Sequence, residues 1–588
     1  MLGDKEDIMN EKDILRRRIA VAQGKEPGDL VITNCQIINV YTQTIEPGDI
    51  VIADGYIAGI GSPYTAKTTI DGTGLYAAPG FIESHIHIES SYVSPEEFGR
   101  LVVPLGTTTI VADPHEIVNV CGREGLAYME RAANRTALDI RYMVPSCVPA
   151  TPFDHSGATI TAADIEDILR DDAILGVGEF MNAPGVIHGE SDILDKIIAA
   201  WDAKKPIDGH SPSLTGAALQ AYIGAHIVTD HECFTLHDVK ERIALGMYVL
   251  LRNGSACHDL PRLVDAVTPA TLRRFLLCSD DLHPKTIFEK GHLNEHLRLC
   301  VAHGLTAPQA ITMATLNAAE CYHLDDRGAI APGKRADIVL LQNLTDFTVE
   351  KTMIAGTLVA DKGQYLLPVE REPIGPVAGS VHIADFSAEK LKLSLHTGHV
   401  RTIDIIPGGV VTGKGEAQVQ RDSTGDFLFN PAEDIVKVAV VERHHDTGCV
   451  GVGFLRGYGL KKGAVAVSIA HDSHNIIVAG ATNDDMALAV TTLQKIGGGM
   501  AVVLDGTVLA SLALPIAGLM SDQDAHTVDT EMETLYDLAH ERLGVNPDVD
   551  VIMTLCFMSL PVIPKLKLLD TGLFDVESFS FVPVEIDS

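Results

Sequence analysis

Eight apolar runs between residues 75 and 281 alternate with helical stretches, and this pattern predicts an α/β protein built on a (β/α)8 barrel. The runs and the helices that follow them cover roughly 250 residues, which is the usual size of such a barrel. Each run is apolar in its body and carries polar or ionisable side chains at its C-terminal tip. That end of the strands is where these barrels build their active sites. We therefore expect an enzyme whose site lies at the barrel mouth.

The rest of the chain predicts additional domains, since 588 residues exceed what one hydrophobic core organises. A polar helical start precedes alternating apolar and polar residues, which indicate a small antiparallel β module. Two β-rich pieces after the barrel resemble this module in their residue pattern, and we expect them to pair with it in a β-sandwich. The predicted domains are an N-terminal helix and β module (1–78), the barrel (79–330), the return of the sandwich (331–367) and a C-terminal α+β domain (368–588).

Composition limits the partners and the compartment. The formal charge of -34 disfavours nucleic acid and anionic membrane surfaces, because phosphate groups would be repelled. No apolar run is long enough to span a bilayer, and the ten cysteines form no CxxC pairs, which favours a reducing compartment. We expect a soluble cytoplasmic protein. We also expect a homo-oligomer and predict a dimer, although nothing in the sequence selects a dimer over a tetramer.

Side chains of metal-ligand type recur at the predicted strand tips. His85 and His87 are separated by one residue at the end of the first run, so both imidazoles point the same way and can hold one ion. Later tips supply further ligand types, namely Glu179, His210, His231 and Asp280. Four imidazoles and two carboxylates would overfill one tetrahedral site but complete a bridged pair of ions.

We therefore predict two divalent cations per chain. One ion is held by His85, His87 and Asp280, the other by His210 and His231, and the Glu179 carboxylate bridges them. A hydroxide between two such ions is nucleophilic at neutral pH because the ions lower the pKa of bound water. Ligands without thiolate leave Mn, Fe(II) and Zn open. Asp281 is the alternative to Asp280, since neighbours at a strand end diverge and only one should face the metal.

The second run ends in "ADPHE", which places Asp113, His115 and Glu116 near the same mouth. None of them is needed as a ligand. A carboxylic acid kept protonated near metals and other carboxylates can give a proton to a ring nitrogen, so Glu116 is the candidate general acid. Asp113 is a further candidate catalytic carboxylate. The alternative for Glu116 is that it caps the helix that follows.

For three other features of the sequence, we consider a structural role before a catalytic one. His292 and His296, at helical spacing after the last run, are expected to lie on the surface or behind the site. The segment from His471 to Asn475 either binds metal or substrate over the barrel mouth or forms a hydrogen-bonded turn. The run Gly497–Gly499 has no following Lys-Ser/Thr and no GxGxxG spacing, so it predicts a tight connection and not a phosphate loop.

Several motifs resemble the amidohydrolase superfamily and, within it, the bacterial adenine deaminases. They are "APGFIESHIHIESS", "VADPHEIVNV", "GVGEFMN", "IDGHSP", "TDHE", "LCSDD" and "GAIAPGKRADIVLL", followed by "SIAHDSHNIIVAG", "TNDDMALAV", "IGGGMAVV" and "PIAGLMSD". The resemblance covers nearly the whole chain from about Asp29. Hydantoinases and dihydroorotases resemble the barrel too, but usually bridge their metals with a carboxylated lysine where this chain carries Glu179.

This resemblance implies hydrolytic deamination of adenine to hypoxanthine and ammonia, a reaction of purine salvage, with adenine and water as the small-molecule partners. The bridging hydroxide would attack C6 while Glu116 protonates a ring nitrogen. Asp280 would pass the hydroxide's proton to the departing amine. Two alternatives stay open, because fold alone does not fix the substrate. One is another amidohydrolase reaction on a modified purine or cyclic amide, and the other is a catalytically inactive barrel kept as a scaffold.

Overall fold

A computed structural model describes residues 11–61, 63–407 and 410–586. The first ten residues of the predicted polar helical start lie outside the described residues, and helix α1 occupies Glu11–Ala22. The N-terminal strands that follow are β1 (Gly28–Asn39), β2 (Thr44–Ala53), β3 (Tyr56–Ile60), β4 (Ala66–Asp71) and β5 (Tyr76–Pro79). In the described part of the chain, no helix has the length and apolarity that a bilayer crossing requires.

The central strands are parallel and follow one another around a barrel-like arrangement. They are β6 (Phe81–His87), β7 (Thr107–Ala112), β8 (Asp139–Val144), β9 (Ile174–Phe180), β10 (Ile207–Gly209), β11 (Thr229–Asp230), β12 (Tyr248–Arg252), β13 (Phe275–Cys278) and the two-residue β14 (Asp280–Asp281). Strands β6 to β10 are hydrogen-bonded in chain order, as are β11 to β13. Strand β10 lies beside β11, β13 lies beside β6, and β14 pairs with β6. Each of the eight apolar runs counted between residues 75 and 281 therefore contains a strand.

Helices separate these strands and pack outside them. They are α2 (Pro95–Val102), α3 (His115–Ala133), α4 (Ala162–Ile168), α5 (Ala183–His188), α6 (Ser191–Ala203), α7 (Gly216–Gly224), α8 (Leu236–Ala244), α9 (Leu260–Leu263), α10 (Pro284–Lys290), α11 (Leu293–Ala302), α12 (Ala307–Met313) and α13 (Leu316–Cys321). Capping boxes begin α4, α8 and α12 at Thr161, Thr235 and Thr306, where the threonine side chain satisfies a free N–H of the first turn. Ile82, Val111, Met143, Leu250 and Leu276 from five strands pack into one cluster.

The strands after the barrel return to the N-terminal module. They are β15 (Ile338–Leu341), β16 (Val349–Ile354), β17 (Thr357–Asp361) and β18 (Gln364–Tyr365). β15 pairs antiparallel with β5, which joins both segments in a nine-stranded sheet. On one side, β1 pairs with β4 along its first half and with β5 along its second half, so the sheet forks at β1. The two-layered sandwich stays a prediction.

The C-terminal part forms an eight-stranded sheet, a separate three-stranded sheet and helices that pack beside them. Its strands are β19 (His399–Ile405), β20 (Thr412–Gln418), β21 (Ile435–Val441), β22 (Val450–Arg456), β23 (Ala464–Ala470), β24 (Asn475–Gly480), β25 (Gly499–Leu504), β26 (Thr507–Ala513), β27 (Leu566–Leu569), β28 (Gly572–Asp575) and β29 (Ser580–Phe581), and its helices are α14 (Asn483–Ile496), α15 (Ala525–Leu538) and α16 (Met553–Cys556). β19 to β26 make an eight-stranded sheet, and Met486, Val490 and Leu493 of α14 pack on it.

The triple glycine connects α14 to β25 in this domain. Gly497 ends the helix in the left-handed conformation, with φ of 83°, which glycine adopts without steric cost. A Cβ on Gly498 would come within 2.4 Å of the Cα of Gly518. The run is thus a tight connection where two backbones meet closely.

The C-terminal domain docks on the loops at the C-terminal ends of the barrel strands. The N–H of Ser521 donates to the carbonyl of Tyr92 at 2.8 Å, just after β6. Arg371 Nη2 lies 2.9 Å from Glu97 Oε2 at the start of α2. These contacts place the C-terminal sheet over the barrel mouth, so the site lies between two domains.

Candidate active site

The six predicted ligands converge at the barrel mouth and are all buried. His85 and His87 end strand β6, and Glu179 is the penultimate residue of β9. His210 follows β10, His231 follows β11 and Asp280 begins β14. Because the strands are parallel, their C-terminal ends meet at one rim. Five separate strand ends thus contribute to a single cluster.

Glu179 occupies the centre of this cluster. Its carboxylate forms one group with His85 and His87 and a second group with His210 and His231, with the ligand atoms of each group within 4.8 Å of one another. Glu179 Oε1 lies 3.5 Å from His87 Nε2, and Oε2 lies 3.0 Å from His210 Nδ1 and 3.3 Å from His231 Nε2. Each carboxylate oxygen therefore faces a different set of imidazoles.

The chemistry of these donors fits divalent metal ions. The Nε2 atoms of His85 and His210 are buried without a hydrogen-bond partner among the described residues, a costly arrangement unless a ligand uses the lone pair. Burial lowers the pKa of His85 well below its usual value, which keeps that imidazole neutral. Burial raises the pKa of Glu179, but the contacts with His210 and His231 outweigh it and hold the pKa well below the usual value. Burial lowers the pKa of His87, His210 and His231, but contacts with carboxylates outweigh it and raise the pKa of all three. Metal binding would therefore displace protons from these imidazoles, because neutral imidazole and ionised carboxylate are the forms that coordinate metal.

The two neighbouring aspartates at the end of the eighth run face different spaces. Asp280 Oδ1 lies 3.2 Å from His87 Nε2 and 3.9 Å from His85 Nε2, inside the cluster. Asp281 Oδ1 lies 2.5 Å from the hydroxyl of Ser90, in an adjoining cavity. Asp280 has φ of 61°, a left-handed conformation that aspartate tolerates better than most residues. This backbone turn separates the two carboxylates.

Arg252 holds the other oxygen of Asp280. Its Nη1 lies 2.7 Å from Asp280 Oδ2, and the same guanidinium contacts Glu232 and Asp259. All four side chains are buried. Neither Arg252 nor Glu232 is predicted from the sequence, although Glu232 directly follows His231 in "TDHE". The guanidinium fixes the orientation of Asp280, since a buried charge pair has few alternative partners.

Glu116 lies beside the cluster in the cavity that Asp281 enters. Burial, together with the nearby Glu89, raises the pKa of Glu116 to about 8. Ser90 Oγ is 3.0 Å from Glu116 Oε1 as well as 2.5 Å from Asp281. A hydroxyl carries one proton, so both contacts are satisfied when a protonated Glu116 donates to Ser90, which then donates to Asp281.

Glu116 does not cap helix α3, because another residue accepts the free N–H of its first turn. Helix α3 has Pro114 at its N-cap and no side-chain capping bond from that position. The N–H of Ile117 donates instead to Glu89 Oε1 at 3.2 Å. Glu116 is therefore free of the helix end and directed at the cavity.

His115 and Asp113 also reach the cluster. His115 Nδ1 lies 3.4 Å from Glu179 Oε1, and its Nε2 lies 3.8 Å from Asp472 Oδ1 of the C-terminal domain. Asp113 accepts the N–H of Glu179 at 2.8 Å. Asp113 thus contacts the backbone that carries the central carboxylate, whereas Glu116 faces the cavity. The sequence predicts His115 near the barrel mouth, and the fold brings its imidazole next to the central carboxylate.

Glu83 is a further residue of the site that the sequence pattern did not predict. Its carboxylate accepts the N–H of His85 at 3.2 Å and the N–H of Ser279 at 3.0 Å, and His292 Nε2 lies 3.0 Å away. A signal was available, since Glu83 precedes His85 by two residues and alternate residues of a strand share a face. His292 and His296 are both buried. Of the two expected locations, on the surface or behind the site, the structure therefore gives the second.

The segment from His471 to Asn475 is a turn between β23 and β24 that also reaches the barrel. The N–H of His474 donates to the carbonyl of Ala470 at 2.6 Å, so the predicted hydrogen-bonded turn is present. His471 nevertheless lines the cavity of Glu116 and Asp281. The turn is therefore present and reaches the cavity, and the binding of metal or substrate by this segment stays a prediction.

Two family models match successive parts of this chain, and named relatives match nearly all of it. The family model described as amidohydrolase family matches residues 76–359, and that described as adenine deaminase C-terminal domain matches residues 409–580. A protein named adenine deaminase 2 from Desulfotalea psychrophila is 55% identical over 574 residues, 98% of this chain and 100% of the relative. Proteins named adenine deaminase from Ligilactobacillus salivarius and Nitratidesulfovibrio vulgaris are 50% and 48% identical, each with 98% of this chain and 100% of the relative covered.

Proposed function

Because this chain belongs to the adenine deaminases of the amidohydrolase family, we propose that it hydrolyses adenine to hypoxanthine and ammonia. The matches confirm the family resemblance seen in the sequence motifs. The observation that carries the proposal for the site is the position of Glu179, which faces two sets of imidazoles next to the cavity of a protonated Glu116.

Six residues would hold two divalent ions at this centre. They are His85, His87, Glu179, His210, His231 and Asp280. With both ions bound, the centre lowers the pKa of water and supplies a nucleophile at neutral pH. The imidazole and carboxylate donors suit Mn, Fe(II) or Zn.

The chain's own residues move the protons. Glu116, protonated because of its burial, would donate to a ring nitrogen of adenine as water adds to C6. Asp280 would accept one proton of the attacking water and give it to the departing amine, which leaves as ammonia. The second proton of that water would leave as the carbonyl of hypoxanthine forms and restore the protonated Glu116. Arg252 keeps one Asp280 oxygen fixed, so the other is available for this transfer. Asp113 would act indirectly, by holding the backbone of Glu179.

The same family supports our proposals for the fold, the cellular role and the oligomeric state. We propose that the central strands close as a (β/α)8 barrel over residues 79–330, and that the sheet segments and the C-terminal domain have the predicted bounds. The reaction would serve purine salvage in the cytoplasm. We expect a homo-oligomer, with a dimer as the form that sedimentation equilibrium should detect.

One preparation can test the proposal. We would purify the chain anaerobically, count bound metals, and measure ammonia release from adenine and from a panel of modified purines and cyclic ureides. We expect two ions per chain and turnover of adenine. Activity confined to cyclic ureides would refute the substrate, and less than one ion per chain with no turnover would favour the inactive scaffold.

The variant Glu179→Gln keeps the size of the central side chain and removes its charge. Because both groups of imidazoles share this carboxylate, we expect the variant to lose metal and activity together. The matched control is Glu190→Gln, at an exposed glutamate before α6, which should keep both. Retention of both ions by Glu179→Gln would refute the bridging role.

A further inference from the structure

We propose that the cleft between helices α10 and α15 is the passage through which the purine base enters the reaction cavity beside Glu116. This inference rests on the proposed function and adds the route that its substrate takes. His283 and Met553 line both the cleft and the reaction cavity. The two side chains therefore form the partition that the base must pass.

The reaction cavity is too small for the substrate in the conformation that the structure describes. The space beside Ser90, Glu116 and Asp281 measures about 10 Å³, which corresponds to one water molecule. Glu116 and the six candidate metal ligands are buried. A base therefore has to arrive from an adjoining space, and part of the wall between the two spaces has to move aside.

The α10–α15 cleft adjoins the reaction cavity and has room for a base. It encloses about 290 Å³, close to the lower end of the range for small-molecule sites. Its lining includes the exposed Lys285 and Asp537 as well as the buried His283 and Met532. The cleft thus extends from the protein surface to the shared partition.

One half of the partition is fixed, and the other half can rotate. His283 is fixed because the hydroxyl of Tyr92 lies 3.2 Å from its Nε2 and its N–H donates to Ser255 Oγ at 2.9 Å. The backbone of Met553 is held, since its N–H donates to Asp550 Oδ1 at 2.7 Å. Its half-buried side chain is unbranched and has three rotatable bonds. Rotation of the Met553 side chain would therefore open the partition while the backbone stays in place.

The two helices are joined firmly at one end and weakly at the cleft. The rings of Phe288 and His526 stack with their centroids 4.3 Å apart and 11° between their planes. Toward the cleft, Lys285 Nζ lies 3.4 Å from Glu533 Oε1, and both side chains are exposed. An exposed ion pair of this kind stabilises a structure very little. The rim of the cleft can therefore widen while the stacked rings keep the helices together.

The chemistry of the lining suits an uncharged flat ring. Four carboxylates share the lining with one lysine, Lys285. The carboxylates are those of Asp529, Glu533, Asp537 and Asp550. Their excess of negative charge repels anions but not a neutral base. The thioethers of Met532 and Met553 offer flexible apolar surface to the faces of the ring.

The main test places a removable block in the cleft. Thr286 lines the cleft but not the reaction cavity, so the full-length, metal-loaded Thr286→Cys variant would be labelled with benzyl methanethiosulfonate. Because entry of the base then limits the reaction, we expect kcat/KM for adenine to fall about tenfold or more. Removal of the label with a phosphine reductant should restore kcat/KM in the same sample. The smaller methyl reagent should have a weaker effect.

A second measurement separates a passage from a binding site. A block in a passage slows entry and exit alike, so it changes rates and leaves the equilibrium affinity as it was. The inhibition constant of hypoxanthine should therefore be the same before and after labelling of Thr286→Cys. A rise in this constant that matches the fall in kcat/KM would overturn the proposal, because the label would then act on the binding site itself.

Two controls accompany these measurements. Glu190→Cys, at an exposed glutamate before α6, receives the same reagents, and so does the wild type, whose own cysteines are mostly buried. Both should keep kcat/KM. An unchanged kcat/KM in Thr286→Cys, with complete labelling shown by intact mass, would overturn the passage and leave the proposed function intact. A wild type without adenine turnover would overturn the proposed function instead.

Discussion

At the scale of single residues, the surroundings of a buried glutamate decide whether its carboxyl group is protonated. Glu116 and Glu179 are both buried glutamates at the barrel mouth. Imidazoles surround Glu179 and keep it ionised, whereas Glu116 has Glu89 nearby and an elevated pKa of about 8. Two carboxyl groups whose pKa values are pushed apart are suited to different roles, one as a metal ligand and one as an acid.

The first prediction concerns the pH dependence of the reaction. The required form of Glu116 is the protonated one, which predominates below its pKa of about 8. We therefore expect kcat/KM to fall as pH rises through this value, by about tenfold per pH unit above it. In Glu116→Gln this alkaline limb should vanish, and kcat should fall about 100- to 1000-fold. An alkaline limb that persists in the variant would contradict the assignment.

At the scale of elements, buried hydrogen bonds and ion pairs of charged side chains fix the strand tips that carry the cluster. Glu83 connects the end of β6 to Ser279, between β13 and β14. Arg242 of α8 contacts Asp230 of β11 and donates to the carbonyl of Ser211 at 2.6 Å. These partners directly neighbour the predicted ligands in sequence. Small shifts of the tips would therefore move metal ligands.

The second prediction tests the anchoring of β6. Glu83→Gln keeps the shape of the side chain but weakens its bonds to the N–H groups of His85 and Ser279. Because residues that orient ligands affect metal binding, we expect metal affinity to fall about 10- to 100-fold in a chelator competition assay. The exposed Glu26→Gln is the control. Unaltered affinity in Glu83→Gln would mean that β6 holds its position without this carboxylate.

The third prediction tests the anchoring of β11. Arg242→Met leaves the buried Asp230 without its cation, which costs about 3–5 kcal/mol when a buried pair loses one partner. The fluorescence of Trp201, the one tryptophan of the chain, reports urea unfolding from α6. Arg273→Met is the control, because its pair with Glu320 is exposed and should contribute less than about 1 kcal/mol. Equal effects of both substitutions would refute the role of Arg242.

At the scale of the whole molecule, the C-terminal domain closes the barrel mouth. Glu97 is central to the contact, since it pairs with Arg371 at 2.9 Å and accepts the N–H of Ala525 at 2.8 Å. It is buried. The cavity beside the candidate metal centre has walls from both domains, so the docking of the domains decides its shape.

The fourth prediction follows from that docking. We expect Glu97→Gln to raise KM for adenine several-fold and to speed limited proteolysis near the domain boundary, because Arg371 loses a buried ionic partner. Metal content should not change, since every predicted ligand lies in the barrel. Glu370→Gln, at an exposed glutamate, serves as control. Loss of metal in Glu97→Gln would contradict this prediction, because it would show that domain docking also affects the metal ligands.

The sequence determined the parts of this protein that depend on local pattern. Apolar runs predicted the central strands, and the period of two placed His85 and His87 on one side of β6. Parallel strands share one rim, so residues such as Glu179 and His231 could be expected to meet there without coordinates. The family resemblance followed from motifs in order along the chain.

Tertiary structure decided what depends on contacts between distant segments. The backbone turn at Asp280 sends its side chain to the cluster and that of Asp281 to the cavity. His115 comes close to Glu179, and His471 reaches the cavity from another domain. The physical reason is that local sequence fixes the direction of side chains within a strand, whereas packing between strands and domains fixes which of them share a space.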